Sequence, residues 1–175
     1  MRRTLVLGGA RSGKSAHAEG LLTDTPVTYV ATARRDRGDA EWTARIAEHV
    51  RRRPATWHTV ELPDPIELPT FLAQATGRVL VDDVATWLTA LLDDADAWNA
   101  ENLDPVRQIR DELVAALAAS RADIVLVSAE VGLGVVPATR SGRLFRDQLG
   151  ALNAALADRC TDVVLLVAGI PLRLR

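Results

Sequence analysis

Eight residues near the start of this chain constrain its fold more than any others. Gly8-Gly9-Ala10-Arg11-Ser12-Gly13-Lys14-Ser15 reads G-x-x-x-x-G-K-S, the pattern of a Walker A phosphate loop. Such a loop cradles anionic oxygens with backbone N–H groups turned inward at a helix N-terminus, so it needs a strand before it and a helix after it. The flanking residues comply. Thr4–Leu7 is a short apolar run, and Ser15-Ala16-His17-Ala18-Glu19 opens a helical pattern. Of the chain's 21 lysines and arginines, Lys14 alone is a lysine. An ammonium is a compact point charge that can fold over a glycine-rich loop onto phosphate oxygens, whereas a planar guanidinium is too wide for that slot.

The rest of the chain alternates short apolar runs with helical patterns. Strands are expected at Thr4–Leu7, Val27–Ala31, Trp57–Val60, Arg78–Val81, Asp123–Ser128 and Asp162–Val167. Helices are expected at Lys14–Leu22, Asp39–Arg52, Pro65–Gln74, Ala85–Leu92, Pro105–Ser120 and Gly142–Asp158. Several strands are rich in Val and Ile without polar alternation, which suits strands buried on both faces of a parallel sheet. The order predicts an α/β fold of the phosphate-loop NTPase type, with a mainly parallel sheet flanked by helices. Ile170–Leu174 is expected to pair antiparallel with Asp162–Val167 across Ala168-Gly169 as a C-terminal edge strand. The polar stretch Asp93–Leu103 reads as a surface connection.

The 175 residues, 48% of them hydrophobic, suit one nucleotide-binding catalytic domain spanning 1–175. A net charge of −2 gives no global field pointing to nucleic acid or membrane. The single cysteine, Cys160, excludes an internal disulfide and fits a reducing compartment. No apolar run approaches the ~18 residues of a membrane span, and no secretory signal is recognisable. The expectation is a cytoplasmic protein with small-molecule substrates.

Four features bear on chemistry. Ser15 is expected to place its hydroxyl on Mg²⁺. Val79-Leu80-Val81-Asp82 is an apolar strand ending in a carboxylate. In phosphate-loop folds that carboxylate lies beside the first strand and holds Mg²⁺ directly or through water; alternatively it is a cap or turn residue. Asp83 should point elsewhere, because successive strand side chains alternate faces. Glu41, Arg45, His49 and Arg53 fall four apart and form one polar helical stripe beside Trp42, Ile46 and Val50. Taken alone, that stripe is most simply a solvated face, and Arg51-Arg52-Arg53 is either a phosphate-facing cluster or a solvated helix end. Glu130 stands at the carboxyl end of a strand, where open α/β sheets bind ligands, in a Gly- and Pro-shaped loop that could equally be structural. His17 and His58 lack partners with metal-ligand spacing, so zinc is unsupported.

Together these segments resemble the bifunctional adenosylcobinamide kinase / adenosylcobinamide-phosphate guanylyltransferase family of cobalamin biosynthesis. Gly8–Ser15 matches its phosphate loop. Arg45-Ile46-Ala47-Glu48-His49, with Arg53-Pro54, Trp57 and Thr59, is similar to its R-I-x-x-H…R-P…W-x-T run. Glu130–Pro137 is similar to its E-V-G-x-G-I-V-P loop. Arg143, Phe145-Arg146-Asp147, Gly150 and Asn153 follow its final-helix pattern. The resemblance implies that a nucleoside triphosphate, ATP or GTP, phosphorylates the aminopropanol hydroxyl of adenosylcobinamide. GMP is then taken from GTP onto a histidine, matched here by His49, and passed to the cobinamide phosphate. It implies catalytic roles for His49 and Lys14. It implies a nucleotide site of Gly8, Gly9, Ala10, Arg11, Ser12, Gly13, Lys14, Ser15, Arg45, Arg53, Glu61, Asp82 and Glu130, with Ser15 and Asp82 toward Mg²⁺. A homotrimer is also implied.

The chain departs from the family pattern at Ala129, where Asn is common, at Asp83, often Cys, and at Trp42, usually Met. Two other readings differ in kind. A simple small-molecule kinase would use the loop and Asp82 without a covalent step. A GTPase-like switch would need an N-K-x-D run, which the single lysine forbids.

Overall fold

The computed structural model describes residues 1–22, 26–34, 47, 50–51 and 53–175. Seven strands among them form one sheet: β1 (Arg3–Gly8), β2 (Thr28–Ala31), β3 (His58–Glu61), β4 (Arg78–Asp82), β5 (Asp123–Ala129), β6 (Asp162–Val167) and β7 (Ile170–Arg173). The helices are α1 (Lys14–Gly20), α2 (Glu67–Gln74), α3 (Val84–Asp94), α4 (Asp104–Ala119) and α5 (Arg140–Ala157). Each lies within a few residues of its expected position. The helix expected at Asp39–Arg52 falls largely outside the described residues, although 47, 50 and 51 are helical.

The lateral order is β3-β2-β4-β5-β1-β6-β7, parallel throughout except for the antiparallel pair β6–β7. The expected α/β class and the C-terminal edge strand are both present. One expectation about neighbours is not met. Asp82 ends β4, and β5 lies between β4 and β1, so the carboxylate strand does not sit beside the first strand. The two sites still meet because α1 packs across both β5 and β4.

Central strands bury nearly every residue, with β1 exposing only part of Arg3 and β5 only its two ends. That explains their unbroken apolar composition. Side chains alternate across the sheet into two clusters. One face carries Leu5, Leu7, Val30, Val79, Val81 and Leu126 against α2, α3, α4 and α5. The other carries Val6, Tyr29, Leu80, Val125 and Val127 against Ala18 and Leu22. Trp87, 1% exposed, anchors the larger cluster and donates its Nε1–H to the Pro65 carbonyl at 2.7 Å. The 93–103 connection is less superficial than its polarity suggests, because Ala97 and Leu103 are buried and pin it to the core. No helix among the described residues is long and apolar enough to cross a membrane.

Candidate active site

The phosphate loop joins the carboxyl end of β1 to the start of α1. Its curvature rests on two left-handed residues, Arg11 at φ 56° and Gly13 at φ 88°. Arg11 tolerates this at some cost, while glycine at 13 removes it. Ser12 N–H donates to the Gly9 carbonyl at 3.3 Å and His17 N–H to the Gly13 carbonyl at 2.9 Å. Lys14 folds back over the loop, its amine donating to the Gly9 carbonyl at 3.3 Å. The Ser12 hydroxyl is buried and has no hydrogen-bond partner among the described atoms. A polar group left so inside an anion-cradling turn suits a loop completed by a ligand. The β6–β7 turn braces the loop from outside, with Gly169 N–H donating to the Ser12 carbonyl at 3.1 Å.

Asp82 reaches this loop from two strands away. Ser15 Oγ donates to Asp82 Oδ1 at 3.2 Å, and Tyr29 Oη donates to Asp82 Oδ2 at 2.6 Å. Register explains the second contact. Ala31 stands opposite Asp82 in the parallel β2–β4 pair, so Tyr29, two residues earlier, shares its face. Tyr29 is 1% exposed. Burial, then the adjacent Asp82 charge, push its phenol well above the usual tyrosine range. Asp83, one residue past the end of β4, does something different, for a reason other than strand alternation. It caps α3, with Thr86 N–H donating to Oδ1 at 2.6 Å. Burial foremost, then the Asp82 charge, raise the Asp83 carboxyl above the ordinary aspartate value. Thr32, 1% exposed, holds the Asp83 carbonyl through its hydroxyl at 2.8 Å.

Ser15 and Asp82 present a hydroxyl and a carboxylate, the hard oxygen donors a small divalent cation takes alongside substrate phosphates. No group of three or more His, Cys, Asp or Glu residues among the described ones could form an all-protein metal cage. The Ser15–Asp82 pair suits Mg²⁺ shared with the phosphates of a nucleotide.

The remaining expected residues divide. Glu130 is tied to the loop through its backbone, N–H donating to the Gly8 carbonyl at 3.1 Å. Its own carboxylate turns back to accept from Gly132 N–H at 2.7 Å. Ala129, the departure before it, leaves its carbonyl to Asn153 Nδ2 at 3.0 Å, and Asn153 Oδ1 accepts from the Ser128 hydroxyl at 2.7 Å. Arg53 stacks over the Tyr29 ring, its Cζ 3.4 Å from the centroid, and donates to Thr59 Oγ1 at 3.1 Å. Glu61 ends β3 level with Asp82, with Ala31 between them. Arg45 and His49 lie outside the described residues. A separate open groove of ≈ 660 Å³ between Trp98, Arg140 and Phe145 contains no phosphate-loop residue.

Tyr29 is the residue the motif reading missed. Its signal was the only tyrosine in the chain, inside a buried strand, where a phenol needs a partner. The identity of that partner was not visible without the register.

Residues 4–174 match the family model described as cobinamide kinase / cobinamide phosphate guanyltransferase. The chain is 43% identical to the bifunctional adenosylcobalamin biosynthesis protein CobP of Pseudomonas aeruginosa, covering 99% of this chain and 97% of that one. It is 40% identical to the bifunctional adenosylcobalamin biosynthesis protein CobU of Salmonella typhimurium, covering 98% of each. Among solved structures, a prototypical ATPase from the type III secretion system of pathogenic bacteria superposes with a TM-score of 0.57 at 12% identity, over 95% of this chain and 51% of that one. That last likeness concerns the fold alone. With a phosphate loop, a facing carboxylate and a full-length match, the chain belongs to the cobinamide kinase / cobinamide phosphate guanyltransferase family of enzymes.

Proposed function

We propose that this enzyme phosphorylates adenosylcobinamide and then converts the phosphate to adenosylcobinamide-GDP through a guanylylated His49. The observation that carries the nucleotide chemistry is the pairing of Ser15 with Asp82 at 3.2 Å, beside Lys14 folded over its own loop. In the first reaction the aminopropanol hydroxyl attacks the γ-phosphorus, loses its proton, and the nucleoside diphosphate leaves. In the second, a neutral imidazole nitrogen of His49 attacks the α-phosphorus of GTP. A P–N bond forms and the P–O bond to pyrophosphate breaks. A phosphate oxygen of the cobinamide phosphate then displaces the histidine, taking GMP.

Lys14 and the loop N–H groups bind and neutralise the terminal phosphates in both steps. Ser15 and Asp82 would hold Mg²⁺, which when bound adds charge neutralisation on the phosphate oxygens. Arg53, fixed on Tyr29, adds a cation to the segment that carries His49. A homotrimer, and ATP or GTP as phosphoryl donor, belong to the same proposal.

The test is incubation with α-labelled GTP and Mg²⁺, followed by denaturing electrophoresis. Label should stay on the wild-type chain, be lost in acid and survive base, as a phosphoramidate does. His49→Ala should carry none while keeping much of the cobinamide phosphorylation. Label persisting in His49→Ala moves the nucleophile elsewhere. An unlabelled wild-type chain with kinase activity intact reduces the enzyme to a simple kinase.

A further inference from the structure

We propose that Tyr29 is a positioning residue for both reactions: its hydroxyl fixes the Asp82 carboxylate and its ring seats Arg53. The proposal rests on the reading of Asp82 as the metal-facing carboxylate.

A carboxylate turns freely about its terminal torsion unless something holds it. Here each oxygen of Asp82 has a distinct partner. Tyr29 Oη takes Oδ2 at 2.6 Å, which leaves Oδ1 directed at Ser15 Oγ at 3.2 Å. Tyr29 cannot drift, because it is 1% exposed in a paired strand, with Trp57 6.3 Å from its ring centroid. The opposite role of the same ring is a platform. Arg53 lies 3.4 Å above its centroid and is tied to Thr59 at 3.1 Å. The guanidinium is therefore held from two sides, by that hydrogen bond and by the cation–π stack on the ring. Arg53 stands four residues after His49 in sequence. One buried side chain therefore touches both the carboxylate of the phosphate-loop site and the segment leading from the histidine.

A buried tyrosine that merely satisfied its hydroxyl would produce the same contacts, so the test must separate stability from site geometry. Tyr29→Phe keeps the ring and the Arg53 stack and removes only the hydroxyl. Its complex with the non-hydrolysable β,γ-imido analogue of GTP should bind Mn²⁺, followed by electron paramagnetic resonance, roughly tenfold more weakly than wild type. That is the equilibrium equivalent of one hydrogen bond to a charged group. Kinase and guanylylation rates at limiting Mg²⁺ should fall by a common factor and recover as Mg²⁺ is raised. Tyr29→Leu, which also removes the platform, should depress guanylylation further than phosphorylation.

Unchanged Mn²⁺ affinity in Tyr29→Phe, with only a lower melting temperature, overturns the proposal. Asp82→Asn is measured alongside. If it too leaves Mn²⁺ binding unchanged, the fault lies in the reading of Asp82. If it weakens binding and Tyr29→Phe does not, the fault lies with Tyr29. A non-additive double variant supports action of Tyr29 through Asp82.

Discussion

Glycine 8 offers a test of how tightly the phosphate loop is built. A methyl group placed there would overlap Ser12 Oγ and stand 3.1 Å from both Ser12 Cβ and the Leu166 carbonyl oxygen. Rotating the serine hydroxyl relieves the first clash only. The other two involve a short side chain's own Cβ and sheet backbone in β6, neither of which can yield without moving the loop. Overpacking of this kind costs about 1–3 kcal/mol. For a chain of this size that lowers the melting temperature by roughly 2–4 °C per kcal/mol. Gly9→Ala is the internal control, since nothing lies within 4 Å of its added methyl. Its stability should stay within about 0.5 kcal/mol of wild type, a shift of no more than about 2 °C in melting temperature, whatever happens to nucleotide affinity. Gly13→Ala should fall between, because its added methyl would meet only Gly169 Cα at an ordinary 3.7 Å but the residue is left-handed at φ 88°, a strain of roughly 1–2 kcal/mol. Thermal unfolding of the nucleotide-free variants reads the order directly. Equal loss in Gly8→Ala and Gly9→Ala would show that the loop floor is not packed as described.

Other outcomes follow from the same geometry. Lys14→Ala should reduce both reactions by about two to three orders of magnitude, the ~3–4 kcal/mol typical of transition-state charge stabilisation, and Lys14→Arg should not rescue; near-normal rates in the arginine variant would refute the shape argument. Asp82→Asn should raise the Mg²⁺ requirement of both steps more than Asp83→Asn, whose amide oxygen can still cap α3; the reverse order in a Mg²⁺ titration would exchange their roles. Asn153→Ala strands the Ser128 hydroxyl and the Ala129 carbonyl and should cost roughly 2–3 kcal/mol in denaturant unfolding; a neutral result would mean that water replaces the amide. The Arg2 guanidinium, hydrogen-bonded at 3.0 Å, holds the Asp162 carboxyl below the ordinary aspartate range. A lowered carboxyl contributes stability above its unfolded value near ~3.9, lost as pH falls through the folded value. Asp162→Asn should therefore flatten the acid limb of the stability profile, by at most about 1 kcal/mol because Arg2 is well exposed; an unchanged limb would count against the pair.

Legibility differed by element. β6 lies where its Val-rich run placed it, and α3 begins one residue earlier than expected because Asp83 caps it. Lys14 and Ser15 were readable because a phosphate loop is contiguous in sequence. The Asp82 contact was readable only by analogy, since 67 residues separate it from Ser15. Glu130 was rightly placed at a strand end, but its carboxylate's turn toward Gly132 depends on loop geometry that glycine and proline signal without specifying. Arg53 read as one end of a polar stripe, and its seat on Tyr29 came from another strand.

The sequence by itself determined the phosphate loop, the alternation of strands and helices, and the buried character of β1, β4 and β5. These are local properties, set by backbone propensity and by the period at which apolar side chains recur. Only the tertiary structure decided that β5 intervenes between β1 and β4, that Tyr29 meets Asp82, and that the turn at Ala168-Gly169 braces Ser12. Lateral strand order leaves no period in the sequence. A parallel strand buries the same residues wherever it is inserted, so its neighbours are chosen by the packing of helices on the sheet and by contacts between residues far apart along the chain.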